Sequence, residues 1–395
     1  MTQKNIGILY GGGHVSSFNA GTLGILDKAD ALGYNVVGFF DGYKGLVKGS
    51  YAAVDLSSPV EAVNAGTFLG SSRDKLVQND GRDDFQNAKQ NLRRLKIDGL
   101  IVLGGNDHLT EAYRLHQSGV NVVGWPKTMD NDLSETEFTL GYPTAVEVAS
   151  SRIWNAHYGA QTNKKIYFIP LFGRNTDWVA AGACMWGGGE FFVPSEKEYE
   201  FGAIVEKAGS AFENNGLRYG RPFAVIPVAE GAKIKGLESH VSRDDIDTHG
   251  NLKIEPMKLA LVLKEAWKMS KQVPKQLKNS VVIDSITYEM RDAPPVEKDS
   301  DLAREAGVKC VELIDEGRFG HAAVFKKDAG RYVTDSAPLE MVSRQRFMST
   351  EGFVDYEAMR PKGNFGEYYH LLFGPPPEKE DVVPFQGFYS NELKA

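Results

Sequence analysis

One lysine and two aspartates fall close together in Pro126-Lys127-Thr128-Met129-Asp130-Asn131-Asp132-Leu133. The apolar run Val120 to Trp125 before them reads as a buried strand that Pro126 stops. Lys127, Asp130 and Asp132 are then expected at the strand's carboxyl end, where open α/β sheets bind ligands. A lysine that holds a phosphate, an aspartate that accepts a hydroxyl proton and an aspartate that holds magnesium are parts of a phosphoryl-transfer site. Taken alone, the octet is equally a polar turn with solvated charges.

Further segments carry related chemistry. Gly11-Gly12-Gly13 follows the strand candidate Ile6 to Tyr10 and precedes a helix candidate from Phe18. Glycines in that place let backbone N–H groups approach phosphate, and the helix offers its positive end. Ser16 stands where a dinucleotide fingerprint has its third glycine, and no Gly-Lys-Ser/Thr ending is present, so a nicotinamide dehydrogenase and a P-loop ATPase both lose ground. Gly66-Thr67-Phe68-Leu69-Gly70-Ser71-Ser72-Arg73 ends in a guanidinium whose fork suits phosphate oxygens. In Leu103-Gly104-Gly105-Asn106-Asp107-His108, Asn106 and Asp107 could position metal or phosphate, or Asp107 could cap a helix over 109–116. Phe172-Gly173-Arg174-Asn175-Thr176-Asp177 and Thr287-Tyr288-Glu289-Met290-Arg291 each bring an arginine after an apolar run. Each alone is more ordinary as a turn or a surface charge, but together they form a pattern in an acidic chain.

These residues need a scaffold. Strands are expected at Ile6 to Tyr10, Val36 to Phe40, Gly99 to Leu103, Val120 to Gly124, Ile166 to Leu171, Phe223 to Val228 and Ser280 to Ile286. Helices are expected at Phe18 to Leu32, Thr110 to His116, around Trp178 to Trp186 and at Asp299 to Glu316. That alternation predicts α/β architecture with a mostly parallel sheet. The polar, glycine-rich stretch Ala208 to Arg221 is expected as a surface connection, and residues 375–395, opening on Pro375-Pro376-Pro377, as a loose tail.

A length of 395 residues points to two domains. A net charge of -7 argues against general nucleic-acid binding. Two distant cysteines indicate neither a disulfide framework nor a zinc cluster. No apolar run approaches the roughly 20 residues of a membrane span, and no signal-peptide core is seen, so a cytoplasmic protein away from membranes is expected.

Taken in order, the motifs resemble the phosphofructokinase family, especially its pyrophosphate-dependent branch. The resemblance runs from Ile6 to roughly Phe325 and rests on Gly11 to Asn19, Asp41-Gly42-Tyr43-Lys44-Gly45-Leu46, Gly66 to Arg73, Pro126 to Asp132, Gly141-Tyr142-Pro143-Thr144-Ala145 and Phe172-Gly173-Arg174. It implies two Rossmann-like three-layer domains with mostly parallel sheets. Residues 1–140 with about 290–345 would bind the donor; residues 141–289 with the C-terminal segment would bind the sugar phosphate. The implied reaction is transfer of a phosphoryl group to the 1-hydroxyl of fructose 6-phosphate, in a homodimer or homotetramer.

The resemblance also implies site residues. Asp130 corresponds to the base, Asp132 to a magnesium-associated carboxylate and Thr128 to a substrate-contacting hydroxyl. Arg73 would hold the donor phosphate and Lys127 would stabilise charge near the transferred group. Gly12, Gly13, Asn106 and Asp107 fall on the donor side, with Asn106 also on the metal. Arg174 and Arg291, with Phe172, Gly173, Glu196 and Tyr288 near them, would address the sugar phosphate; Lys165 falls near a position that does so from a neighbouring subunit. ATP-using relatives carry GGDG and PGT, pyrophosphate-using ones GGDD and PKT. A side chain at Asp107 would crowd and repel a nucleotide's α-phosphate, while Lys127 adds charge for a compact donor, so pyrophosphate is favoured.

The chain departs from the family at several places. Asn106 replaces a magnesium-binding aspartate, His108 a Ser or Thr, and Asp177 a glycine. The PE segment reads Pro194-Ser195-Glu196, and the RGG segment reads Arg291-Asp292-Ala293. Two alternatives stay open: a kinase of the same fold for another phosphorylated sugar or polyol, and a non-enzymatic sugar-phosphate-binding homologue.

Overall fold

The computed structural model describes residues 3–79, 81–245 and 254–385. The chain forms two compact units: residues 1–144 with 291–346, and residues 145–290 with 347–395.

The first unit is built on a seven-stranded sheet in the order Arg331–Pro338, His321–Asp328, Val122–Pro126, Ile97–Gly104, Asn5–Tyr10, Asn35–Phe39, Tyr51–Val54. The inner neighbours pair in parallel and the two outermost pairings are antiparallel. Alternation along the strands assigns their side chains to two faces. Leu100 and Val102 pack with Phe85, Leu92, Leu109 and Leu115 in one apolar layer. On the other face the helices Phe18–Ala31 and Glu297–Asp315 lie so close that a Cβ on Gly24 would come within 2.0 Å of the Arg304 carbonyl oxygen. Only glycine permits that approach.

The second unit has a parallel three-stranded sheet, Ala224–Ala229, Ile166–Leu171, Val281–Ile283. Ile166, Phe168, Ile226 and Val228 pack against Ile204, Ala208, Phe212, Leu259, Leu263 and Trp267. Both units are α/β with mostly parallel sheets, as expected.

Some local expectations fail. Residues 208–221, expected as a surface connection, lie mostly in the helix Phe201–Tyr219. Its buried residues Phe201, Ile204, Val205, Ala208, Phe212, Asn215 and Tyr219 recur at helical spacing, and that burial outweighs the weak propensity of Gly202, Gly209 and Gly216. The strand expected at Ser280 to Ile286 is regular only over Val281–Ile283, although Ile286 bridges Leu171. Pro126 does not stop its strand but pairs with Gly104 as its last residue. Of residues 375–395, Lys379–Val382 form a short helix with a capping box, and Val382 and Val383 are buried. Residues 386–395 of that stretch lie outside the described residues.

Candidate active site

The first unit gathers the residues that the resemblance assigns to the donor at the carboxyl ends of adjacent parallel strands. Asn5–Tyr10 delivers the glycine turn, Ile97–Gly104 delivers Asn106 to His108, and Val122–Pro126 delivers Lys127 to Asp132. The turn is held from both sides. Gly11 N donates to Leu103 O (2.8 Å), Gly12 N to Ser72 O (2.8 Å), and Ser71 Oγ to Gly12 O (3.0 Å). Those bonds seat the Gly66 to Arg73 loop against the glycine turn. Arg73, next in the loop, is exposed and makes no hydrogen bond among the described residues.

Lys127 is 3% exposed, yet its Nζ donates to the Gly13 carbonyl at 2.7 Å and lies 5.3 Å from the Phe18 ring centroid. A Cβ on Gly12 would stand 3.2 Å from that amine, and Gly12 has φ +85°, so two independent constraints keep this position a glycine. Asp130 and Asp132 follow in a turn whose central residue, Asn131, has φ +55°. Asn131 tolerates that conformation because its Oδ1 accepts from Thr139 N at 3.1 Å. Thr128 Oγ1 accepts from Asp130 N at 3.1 Å, and the Thr139 hydroxyl donates to the Thr128 carbonyl. Both aspartates are buried, at 5% and 8% exposure.

His108 explains much of the glycine pattern around it. A Cβ on Gly11 would fall 2.0 Å from its ring, and one on Gly104 would fall 2.4 Å from its own Cβ. The imidazole stacks on Tyr43 at 5.6 Å and 2°, and the Tyr43 hydroxyl donates to the His108 carbonyl (2.7 Å). Burial first, and then the nearby Lys127 charge, pushes the imidazole pKa down to about 4. His108 is therefore neutral and adds no positive charge beside the glycine turn.

Asn106 donates its side-chain amide to the Ser343 carbonyl at 2.5 Å. An aspartate there would set a carboxylate against that carbonyl, which gives the asparagine a structural reason. Asp107 does not cap the helix: the helix spans Asn106–Gln117, Gly105 is its N-cap, and Asp107 lies in the first turn, paired with Lys75 at 2.9 Å. A carboxylate there complements the helix dipole. Arg291 donates from Nη1 to the His14 carbonyl (2.9 Å), and a Cβ on Gly13 would lie 2.6 Å from that nitrogen. Beside it, His14 Nε2 meets Asp292 Oδ1 at 2.5 Å.

In the second unit, Gly173 and Arg174 follow the strand Ile166–Leu171. Their backbone N–H groups donate to Glu230 Oε2 at 3.3 and 3.0 Å, and the Arg174 side chain is exposed. Phe172 and Tyr288 meet edge to face at 5.4 Å, with Tyr288 59% exposed. Lys165 donates to the Asn279 carbonyl at 2.9 Å within its own unit. Glu196 accepts from the backbone N–H groups of Asp177 (3.0 Å), Met348 (2.9 Å) and Ser349 (2.7 Å).

Three residues escaped the sequence reading. Glu230 directly follows a strand and could have been found by that position. Ser343, which engages Asn106, and Gln345, whose Nε2 lies 3.5 Å from Asp132 Oδ2, carry no sequence signal.

A family model described as phosphofructokinase matches residues 5–314. The chain belongs to the phosphofructokinase family. An ATP-dependent 6-phosphofructokinase 2 of Clostridium perfringens is 32% identical over 344 residues, 83% of this chain and 90% of the relative. A pyrophosphate–fructose 6-phosphate 1-phosphotransferase of Streptomyces coelicolor is 30% identical over 319 residues, 80% of this chain and 88% of the relative. The crystal structure of a pyrophosphate-dependent phosphofructokinase from Marinobacter aquaeolei superposes with TM-score 0.75 at 18% identity, over 95% of this chain and 92% of that one, and shows the same fold. Relatives named for either donor thus stand at similar identity. The family is one of phosphotransferases, and this chain is an enzyme of that class.

Among the described residues no group of three or more His, Cys, Asp or Glu is placed to hold a metal ion. Magnesium asks for less, since it keeps several waters and uses one or two carboxylates together with substrate phosphates. Asp132, buried in the turn after the strand Val122–Pro126, offers one such carboxylate. No helix among the described residues is long and apolar enough to cross a membrane.

Proposed function

We propose that this protein transfers a phosphoryl group from pyrophosphate to the 1-hydroxyl of fructose 6-phosphate, with Asp130 as base. The observation that carries the reading is the buried Lys127 amine, fixed 2.7 Å from the Gly13 carbonyl at the glycine turn. Phosphoryl transfer depends chiefly on alignment and charge stabilisation by preorganised groups. Lys127 supplies such a cation where the backbone admits a phosphate closely. Arg73, beside the same turn, supplies a second for the donor. Asp130, in the adjoining turn, accepts the proton of the attacking hydroxyl. Asp132 and the Asn106 carbonyl would hold magnesium, which neutralises donor charge when bound.

Donor choice rests on Asp107. Its carboxylate repels the additional phosphate that a nucleotide would bring, whereas Lys127 suits a compact inorganic donor. Within the second unit, Arg174 would meet the sugar phosphate, with Phe172, Gly173 and Tyr288 beside it; Thr128 and Arg291 are the acceptor-side candidates of the first unit. The proposal includes a homodimer or homotetramer in the cytoplasm, a setting that suits two buried free cysteines. A different phosphorylated sugar or polyol is favoured by one observation: Glu196 is engaged by backbone N–H groups of its own unit.

The test is Asp130→Ala assayed with magnesium, pyrophosphate and fructose 6-phosphate. Turnover should drop by about 10²–10⁴-fold, the usual worth of a general base, with sugar-phosphate affinity retained. Equal turnover would refute the base assignment, and faster transfer from ATP would refute the donor assignment.

A further inference from the structure

We propose that Asp177 is a positioning residue that fixes the Arg174 turn for sugar-phosphate binding, acting through Ser195 and Tyr356. The inference rests on the reading of Arg174 as an acceptor-side residue. Asp177 begins the helix Trp178–Gly187 but gives that helix no side-chain cap. Its carboxylate turns instead to other segments of the second unit. Oδ1 accepts from Ser195 N (2.6 Å) and Ser195 Oγ (3.0 Å), and Oδ2 accepts from the Tyr356 hydroxyl (3.0 Å). The group is completely buried.

The turn from Gly173 to Asp177 is thereby clamped at both ends. Glu230 holds its first two N–H groups, and Gly231 N donates to the Arg174 carbonyl at 2.9 Å. Asp177 holds the other end. Between the clamps Arg174 has φ +51°, a conformation that costs a non-glycine residue energy and persists only where its surroundings impose it. The exposed guanidinium is thus carried on a constrained turn.

A buried carboxylate is an expensive way to fix a loop if stability alone were served. The cost here is raised by Glu196, whose Oε2 lies 3.5 Å from the same Tyr356 hydroxyl. Glu196, Tyr356 and Tyr199 are the titratable groups around Asp177; Tyr199 donates its hydroxyl to the Tyr356 carbonyl at 2.7 Å. Burial, and then the Glu196 charge, raises Asp177 to about 6. Asparagine fits the same shape: its oxygen can accept from Ser195, and its amide can donate to a Tyr356 hydroxyl turned toward Glu196.

The experiment compares Asp177→Ala and Asp177→Asn in the full chain. The alanine variant should raise the fructose 6-phosphate KM about tenfold or more and leave the pyrophosphate KM within about twofold. The asparagine variant should restore the acceptor KM to within about threefold and lose the dependence on pH between about 5 and 7 that Asp177 confers. An alanine variant with unchanged acceptor KM, or with both KM values raised alike, overturns the inference. Should the alanine variant not fold, Ser195→Ala removes one donor and should raise the acceptor KM about threefold; no change overturns the inference. Calorimetry with fructose 6-phosphate separates the two levels. No binding by the natural protein overturns the acceptor reading and the inference together. Binding by the natural protein with equal affinity in the variants overturns the inference alone.

Discussion

Replacing Lys127 by Met keeps most of the side-chain volume and removes the charge, and the structure specifies three consequences. The Gly13 carbonyl loses a charge-assisted hydrogen bond of 2.7 Å, worth about 1.5–3 kcal/mol of stability. His108 loses a neighbouring cation that helps to depress its pKa, so its imidazole should titrate above its present value of about 4. On the proposed function, transfer from pyrophosphate loses a preorganised cation, for which a deficit of about 2.7–4 kcal/mol, or 10²–10³ in kcat, is the appropriate scale. Urea unfolding, imidazole titration by NMR and steady-state kinetics read these separately. If the variant lost stability and shifted His108 but turned over at the natural rate, Lys127 would be a structural cation only. If none of the three changed, the placement of the amine against the glycine turn would be wrong.

The network around Glu190 makes a second prediction. Glu190 is buried in the second unit and is joined by Lys379 at 2.8 Å, which also contacts His157 Nε2 at 3.1 Å. Lys379→Met should cost about 3–5 kcal/mol in urea unfolding, since it strands a buried carboxylate. The loss should be smaller at pH 5.5 than at pH 8, because His157, freed of the Lys379 charge, can then protonate beside Glu190; an equal loss at both pH values would contradict this. The third prediction concerns pH. His108 and His157 are both depressed to about 4, chiefly by burial, so each gives stability that is present above the unfolded value near 6.5 and is lost as pH falls toward 4. Asp177, raised to about 6, has the opposite sign: its contribution is full below its ordinary 3.8 and is lost as pH rises through 6. The balance is a net loss on the order of 3 kcal/mol between pH 7 and 4, and a urea midpoint that held or rose on acidification would contradict it.

What the sequence disclosed followed the strength of its local signals. The strands Asn5–Tyr10 and Ile166–Leu171 are continuous apolar runs closed by glycine or polar turns, and both were legible nearly to the residue. The donor-side turns were legible because glycine and charge adjoin strand ends. The helix Phe201–Tyr219 is masked by Gly202, Gly209 and Gly216, although its apolar residues recur at helical spacing and pack with Phe168, Ile226 and Leu263. The helix Tyr142–Asn163 gives little periodic signal, since its polar and apolar residues are weakly segregated. Likewise, nothing in the sequence around Asn106 announces that its amide donates to the carbonyl of Ser343, far along the chain. Contacts of that range leave no mark on local composition.

The most direct measurement supplies the natural protein with magnesium, fructose 6-phosphate and pyrophosphate carrying radioactive phosphorus, and follows the label by ion-exchange chromatography. Label should appear on the 1-oxygen of fructose, with one inorganic phosphate released per transfer. Label confined to unreacted pyrophosphate, while ATP under the same conditions phosphorylates the sugar, would contradict the account.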